Sequence, residues 1–210
     1  MAREKKRDGN KSRRIELPPP DFAGKCTLEA ALQARRSVRE YGRDPLPLAV
    51  VSQLLWAAQG VTDESGDRTA PSAGGLFPLS LLLVAGEVDG VPPGTYRYEP
   101  ETHTLSPHLD RDLRQELAAA SLGQEWVAAT PVSLVFCADY DRTAERYGER
   151  GVRYVDMEAG HAAQNVHLQA TALGLGSVPV GAFHDRAVQE VLELSDNEEP
   201  VYIIPVGRPK

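Results

Sequence analysis

An α+β architecture, helices flanking a central mixed β-sheet, is predicted by three features of the sequence. The runs 79–86 and 132–139 are apolar at successive positions, which marks strands buried on both faces. Residues 94–108, "GTYRYEPETHTLSPH", alternate aromatic residues around turn residues, the pattern of a hairpin near a sheet's periphery. Helical patterns fall between these strands without the regular alternation of a parallel βαβ series.

Each element has a local reason. Thr27 can cap the exposed N–H groups of a helix that runs through "LEAALQARRS". A second helix begins near Pro47, whose ring suits a first turn, and ends at Gly60. Its residues Leu48, Val51, Leu54, Leu55 and Ala58 share one face. A third fits 110–122, with Gly123 as its stop, and a long one covers 152–173 before Gly174. "SVPVGAF", interrupted by Pro and Gly, reads as a short extended segment; a helix over 185–194 and a strand over 201–207 follow.

The 210 residues suit one domain with a real core, 41% hydrophobic and 25% charged. No apolar run approaches a membrane span, and no apolar stretch accompanies the basic N-terminus as in a signal peptide, so a cytoplasmic protein without a membrane partner is expected. Cys26 and Cys137 form no C-x-x-C motif, and neither a disulfide framework nor a zinc site is expected. The net charge of −7 is uneven. Residues 1–14 carry seven Lys/Arg against two Asp/Glu, and the acidic remainder argues against nucleic acid as a partner. The expected division is a flexible basic tail over 1–20, ending in the stiff Pro18-Pro19-Pro20, and a domain over 21–210.

Three segments can carry chemistry. In "RRSVREYG", Arg35, Ser37 and Arg39 alternate at spacing two. If the chain is extended there, all three side chains point one way, and two guanidiniums with a hydroxyl make a phosphate clamp. The other reading is a helix end whose arginines offset the macrodipole and face water; the spacing alone favours it. In "PSAGGLFP", Gly74 and Gly75 let a flat ligand approach the backbone closely; an ordinary turn before a strand fits as well. Glu158-x-x-His161 has the spacing of a di-iron ligand pair, but such sites need the pair twice, so no metal is expected. His161, Gln164 and Asn165 read as hydrogen-bonding groups along a packed helix, while His103, His108 and His184 fall in loops with no evident partner. No dinucleotide fingerprint, P-loop or G-x-S-x-G elbow occurs; "GLGSVPVG" follows a helix and reads as a stop and loop.

"RRSVREY", "PSAGGLFP" and "GHAAQNVHLQATALGLGSVPVGAF", in that order, resemble the nitroreductase family of flavoproteins. Within it they are most similar to the dehydrogenases of thiazole- and oxazole-forming peptide pathways. The resemblance spans roughly 27–207. It implies a nitroreductase-like α+β fold, FMN held without a covalent link, and a homodimer with both flavins at the subunit interface. Arg35, Arg36, Ser37 and Arg39 match the segment that holds the phosphate and ribityl region. Pro71, Ser72, Ala73, Gly74 and Gly75 match the segment bordering the ring, in this family usually from the other subunit. Pro179, Val180, Gly181 and Ala182 match the stretch on the ring's other side, where a backbone N–H meets flavin N5. A flat ring there would account for the small residues of 71–75. Gly75 stands where many members have Asn, and the family's late basic residues are represented only by Arg208 and Lys210.

The resemblance implies hydride transfer between NADH or NADPH and nitro, quinone or enone-like acceptors. The cofactor carries the hydride; the protein supplies position and electrostatics. Two alternatives stand beside it: oxidation of azoline heterocycles in a modified peptide, and flavin binding without turnover. The azoline-oxidising branch often has Leu-Lys-Tyr at the start of its long helix; here Val152-Arg153-Tyr154 occupies that place. Arginine stays protonated in proteins, so Arg153 is no base, and Tyr154 is left as the candidate catalytic proton carrier or an interface residue.

Overall fold

The computed structural model describes residues 14–210. Its centre is a pair of antiparallel strands, β2 (Leu79–Ala85) and β5 (Val132–Ala138), matched residue for residue from Leu79–Ala138 to Ala85–Val132. Both are buried on both faces because successive side chains alternate. Leu81, Leu83, Leu134 and Phe136 enter one apolar layer, while Leu82, Val84, Val135 and Cys137 enter the other. Truncating a fully buried leucine such as Leu82 to Ala is expected to cost ~2–5 kcal/mol.

Five further strands complete the sheet: β1 (Ile15–Glu16), β3 (Gly94–Glu99), β4 (Thr104–Leu109), β6 (Gly176–Ser177) and β7 (Glu199–Gly207). Their order is β1-β4-β3-β2-β5-β7-β6. The sheet is antiparallel at every strand pair, where a mixed sheet was expected. Parallel pairing is confined to isolated bridges at Ser37–Ser177 and Leu46–Val88. The connections from β2 to β3 and from β3 to β4 are too short for a parallel crossover, which needs about a dozen residues or more.

Helices cover both faces. On one lie α1 (Leu28–Ala34), α2 (Leu48–Gln59) and the later, long α6 (Arg150–Ala172), whose Val155, Ala159, Ala162, Ala163, Val166 and Ala170 form its core stripe. On the other lie α3 (Arg114–Ala120), α4 (Glu125–Ala129) and α7 (Asp185–Leu192). Between β5 and α6 stands α5 (Tyr140–Tyr147), capped by the Asp139 side chain accepting from the Arg142 N–H. Neither α4 nor α5 is anticipated from the sequence. Thr27 caps α1 as expected, but the helix stops at Ala34 because Arg35 turns extended (φ −53°, ψ 122°).

Of the tail expected over 1–20, residues 1–13 lie outside the described residues. Ile15 and Glu16 pair with β4, and Leu17 is buried, so the packed chain already begins ahead of residue 21. His103 is no unpartnered loop residue. Its ring meets Ser52 Oγ at 2.8 Å, the Pro18 carbonyl at 3.0 Å and the Tyr98 hydroxyl at 2.9 Å, which ties this N-terminal stretch to the sheet. His108, in β4, contacts the Leu192 carbonyl at 2.6 Å. Among the described residues no helix is long and apolar enough to cross a membrane, and no group of three metal-ligating side chains converges.

Candidate functional site

The residues singled out from the sequence gather into two clusters. The first lies at the β6 edge of the sheet. After α1, Ser37 bridges Ser177, and the Val38 N–H donates to the Ser177 carbonyl at 3.0 Å. Arg35 has left the helix (φ −53°, ψ 122°) and Ser37 lies in the bridge, so Arg35, Ser37 and Arg39 fall on the non-helical chain beyond α1. Ser37 and Arg39 are exposed and Arg35 half-buried, with the Arg39 guanidinium 5.5 Å from the centroid of the Trp126 ring. Arg36 behaves differently. Its guanidinium donates to the Gln33 and Arg35 carbonyls, both at 2.8 Å, and so closes the end of α1.

Close packing keeps this strand in place. A Cβ on Gly176 would come within 2.6 Å of Val38, so only glycine lets the two segments lie together. Beyond Arg39, the Gly42 N–H donates to the Arg208 carbonyl at 2.8 Å, bringing exposed Arg208 to the same edge. On the other flank Val180 exchanges backbone hydrogen bonds with Ile203. Pro179 is half-buried, Gly181 and Ala182 are exposed, and the Ala182 carbonyl accepts from Gln124 Nε2 at 2.7 Å. Behind the strand lies His167, whose Nδ1 is 2.7 Å from Ser177 Oγ. Burial, and secondarily the Arg35 charge, pushes this imidazole down to about 4, so it is neutral at physiological pH.

The second cluster surrounds the turn that precedes β2. Pro71 and Ser72 are extended, Ala73–Gly75 make a short 3-10 turn, and Gly74 and Gly75 both have φ of +64°. Only glycine takes that conformation without strain. Ser72 Oγ accepts from the Phe77 N–H at 2.8 Å, and Arg146 reaches the Gly74 carbonyl at 3.4 Å. Space differs at the two glycines: a Cβ on Gly74 would lie 2.7 Å from the Tyr147 hydroxyl, while one on Gly75 meets nothing within 4 Å. Tyr154 joins this cluster through Tyr147, the two rings edge to face at 5.2 Å.

The clusters do not meet within one chain. Tyr154 stands near the start of α6 and His167 near its end, separated by about 20 Å of helix axis at 1.5 Å per residue. A cavity of about 760 Å³ that begins at Tyr41, Gly42 and Arg43, just past the first cluster, is lined by none of the residues singled out for the cofactor.

Sequence reasoning missed Gln124, Trp126, Arg146 and Tyr147, which sit on the two unanticipated helices or at their edges. It also missed the partners of His167. Asn165 does bond along the packed helix, donating to the Thr69 carbonyl at 3.2 Å, but His161 and Gln164 face outward. The signal available was small: "EWVAAT" and "DRTAERYG" are each too short to show an apolar period.

The residues present fit an FMN. Two cations and a hydroxyl suit a phosphate, and the open face over Gly75 leaves room for a ring that a side chain would fill.

The chain is similar to a Methanocaldococcus jannaschii protein named as a nitroreductase, at 48% identity over 194 residues, covering 92% of this chain and 96% of the relative. It is 31% identical over 189 residues to the FMN reductase (NAD(P)H) of Bacillus subtilis, covering 84% of this chain and 61% of that protein. A crystal structure from Ralstonia eutropha JMP134, of a protein also named as a nitroreductase, superposes with a TM-score of 0.85 at 35% identity, covering 96% of this chain and 92% of that one. The family model described as "Nitroreductase family" matches residues 32–208, a span that contains both clusters and the strands that carry them, and the chain belongs to the nitroreductase family.

Proposed function

We propose that this protein is an FMN-dependent oxidoreductase that moves hydride between NAD(P)H and small nitro, quinone or enone-like acceptors. The observation that supports the reading is the backbone bridge at Ser37, which carries Arg35, Ser37 and Arg39 off α1, with Arg39 over the Trp126 ring two residues from Gln124, the donor to the Ala182 carbonyl. The Bacillus subtilis relative is named for FMN and for NAD(P)H, which supports the same cofactor pair here.

FMN, when bound, supplies the two-electron chemistry. The chain's own residues bind and orient. Arg35 and Ser37 would hold the anionic phosphate, and Arg39, backed by the Trp126 ring, would supply positive charge to the bound flavin. Pro179 to Ala182 border one side of the site. The Pro71–Gly75 turn, too far along α6 to close the same chain's clamp, closes the clamp of a second copy, so the functional unit is a homodimer. Exposed Val152 and Met157 on α6 and Leu28 and Leu32 on α1 supply apolar surface for that contact. Tyr154, packed on Tyr147 beside this turn, is the residue placed to hold or pass a proton to substrate. Arg153 is exposed and stays charged, so the base that azoline oxidation would require is not supplied at that position.

The test is an absorption spectrum of the purified protein with release of FMN on denaturation, followed by steady-state NAD(P)H oxidation with a nitroaromatic or quinone acceptor. A flavin spectrum and acceptor-dependent oxidation are expected. Protein that stays colourless after incubation with FMN overturns the cofactor assignment; bound FMN without oxidation of NAD(P)H leaves a binding protein.

A further inference from the structure

Glu158 is a buried carboxyl without an evident purpose in this scheme. It lies on the core side of α6, 2% exposed, and its Oε1 has no hydrogen-bond partner. A buried acceptor left unpaired is costly, and such groups persist where they do something. It stands one helical turn after Tyr154 and faces the hydroxyl of Ser72, the same hydroxyl that accepts from the Phe77 N–H and so folds the turn. The other charges facing it are Arg68, from the loop before the turn, and Arg142, from α5. Neither forms an ion pair with it: Arg68 is engaged by Gln59 Oε1 and Glu101, at 2.9 and 2.8 Å.

We propose that Glu158 is a positioning residue for the Pro71–Gly75 turn: its neutral carboxyl lets the turn lie closed on α6, and its ionisation drives the turn open. This rests on the reading above, in which the closed turn borders the flavin of a second copy.

The reasoning is one of linkage. Burial raises the Glu158 carboxyl to about 7, opposed by the Ser72 hydroxyl and by the Arg68 and Arg142 charges. In any arrangement that exposes the group to water, it titrates in the ordinary carboxylate range. The closed turn therefore holds a proton that the open turn has already lost. Below the ordinary range both forms are protonated and the closed turn keeps its full advantage. As pH rises to about 7 that advantage is lost, and above it the loss is constant. The backbone is suited to such a change, because Gly74, Gly75 and Phe77 all sit at positive φ and the turn has little apolar anchorage of its own.

The experiment measures FMN affinity of the full-length apoprotein by quenching of flavin fluorescence from pH 5.5 to 8.5, for wild type and Glu158→Gln. Wild-type affinity is expected to weaken about tenfold per pH unit from pH 5.5 up to about 7 and to level off above it, as linkage requires. Glu158→Gln, which cannot ionise, keeps its low-pH affinity throughout, and titration of the FMN phosphate is common to both proteins. A wild-type affinity independent of pH, or a Glu158→Gln profile parallel to wild type, overturns the proposal. Should the variant fail to fold, hydrogen exchange of residues 73–77 in wild type decides. Protection, corrected for intrinsic rates, must fall between pH 5.5 and 7; unchanged protection overturns it. Absence of FMN binding at every pH in both proteins instead defeats the cofactor reading.

Discussion

The clamp strand and the glycine turn serve one proposed site, yet they are held by different physics. Arg35–Arg39 is fixed by backbone pairing to β6 and by a glycine that lets Val38 pack against it. The turn at Pro71–Gly75 has no ladder of its own. It is shaped by two glycines at positive φ and by side chains reaching over from α5 and α6. A segment held to the sheet by a backbone bridge keeps its charges at a fixed place. A turn pinned only by side chains can shift with its neighbours, and so suits the part of a site that must meet another molecule.

The largest expected effect tests whether the two regions work in different chains. A chain carrying Arg35→Ala and Ser37→Ala, and a chain carrying Gly75→Trp, which sets an indole in the open space over the turn, should each lose FMN as homodimers. A purified dimer containing one of each should regain half the wild-type FMN content, because one of its two sites is built from the unaltered halves. A flavin-free mixed dimer would show that both regions act within one chain.

A smaller effect separates the two kinds of support. Gly176→Ala forces a Cβ to within 2.6 Å of Val38 in a packed region, which should cost ~1–3 kcal/mol and lower both the unfolding midpoint and FMN affinity. Gly74→Ala meets only the far ends of the Tyr147 and Arg146 side chains but is strained by ~1–2 kcal/mol at its positive φ, and should weaken FMN binding with a smaller fall in the midpoint than Gly176→Ala. Equal losses of global stability in both variants would erase the distinction.

The smallest effect concerns Tyr154. Phenylalanine keeps the ring contact with Tyr147 and removes only the hydroxyl. Turnover with a quinone should fall several-fold with FMN affinity unchanged; an unaltered rate would leave Tyr154 as packing alone.

Much of the fold was legible in the sequence because its signals are local. Doubly apolar runs announced β2 and β5, Thr27 and Gly60 marked helix ends, and paired glycines marked the turn. The short helices α4 and α5 were not legible, and with them went Gln124, Trp126 and Tyr147. Helices of five to eight residues form only where tertiary packing supplies what propensity cannot. Alternation alone also left Arg35, Ser37 and Arg39 divided between clamp and helix end. In the structure Arg36 closes the helix, and Ser37 lies beyond it in a backbone bridge; the clamp itself is a proposal.

By itself, the sequence determined the two buried strands, the start of α1, the end of α2 and the small-residue turn, since each depends on side-chain type and spacing over a few residues. Only the tertiary structure decided that the sheet is antiparallel throughout, that Arg35–Arg39 lies beyond the helix, and that Glu158 lies buried against Ser72. Those outcomes depend on which distant segment lies alongside. Pairing with Ser177, more than a hundred residues away in the chain, is a contact that no local pattern encodes.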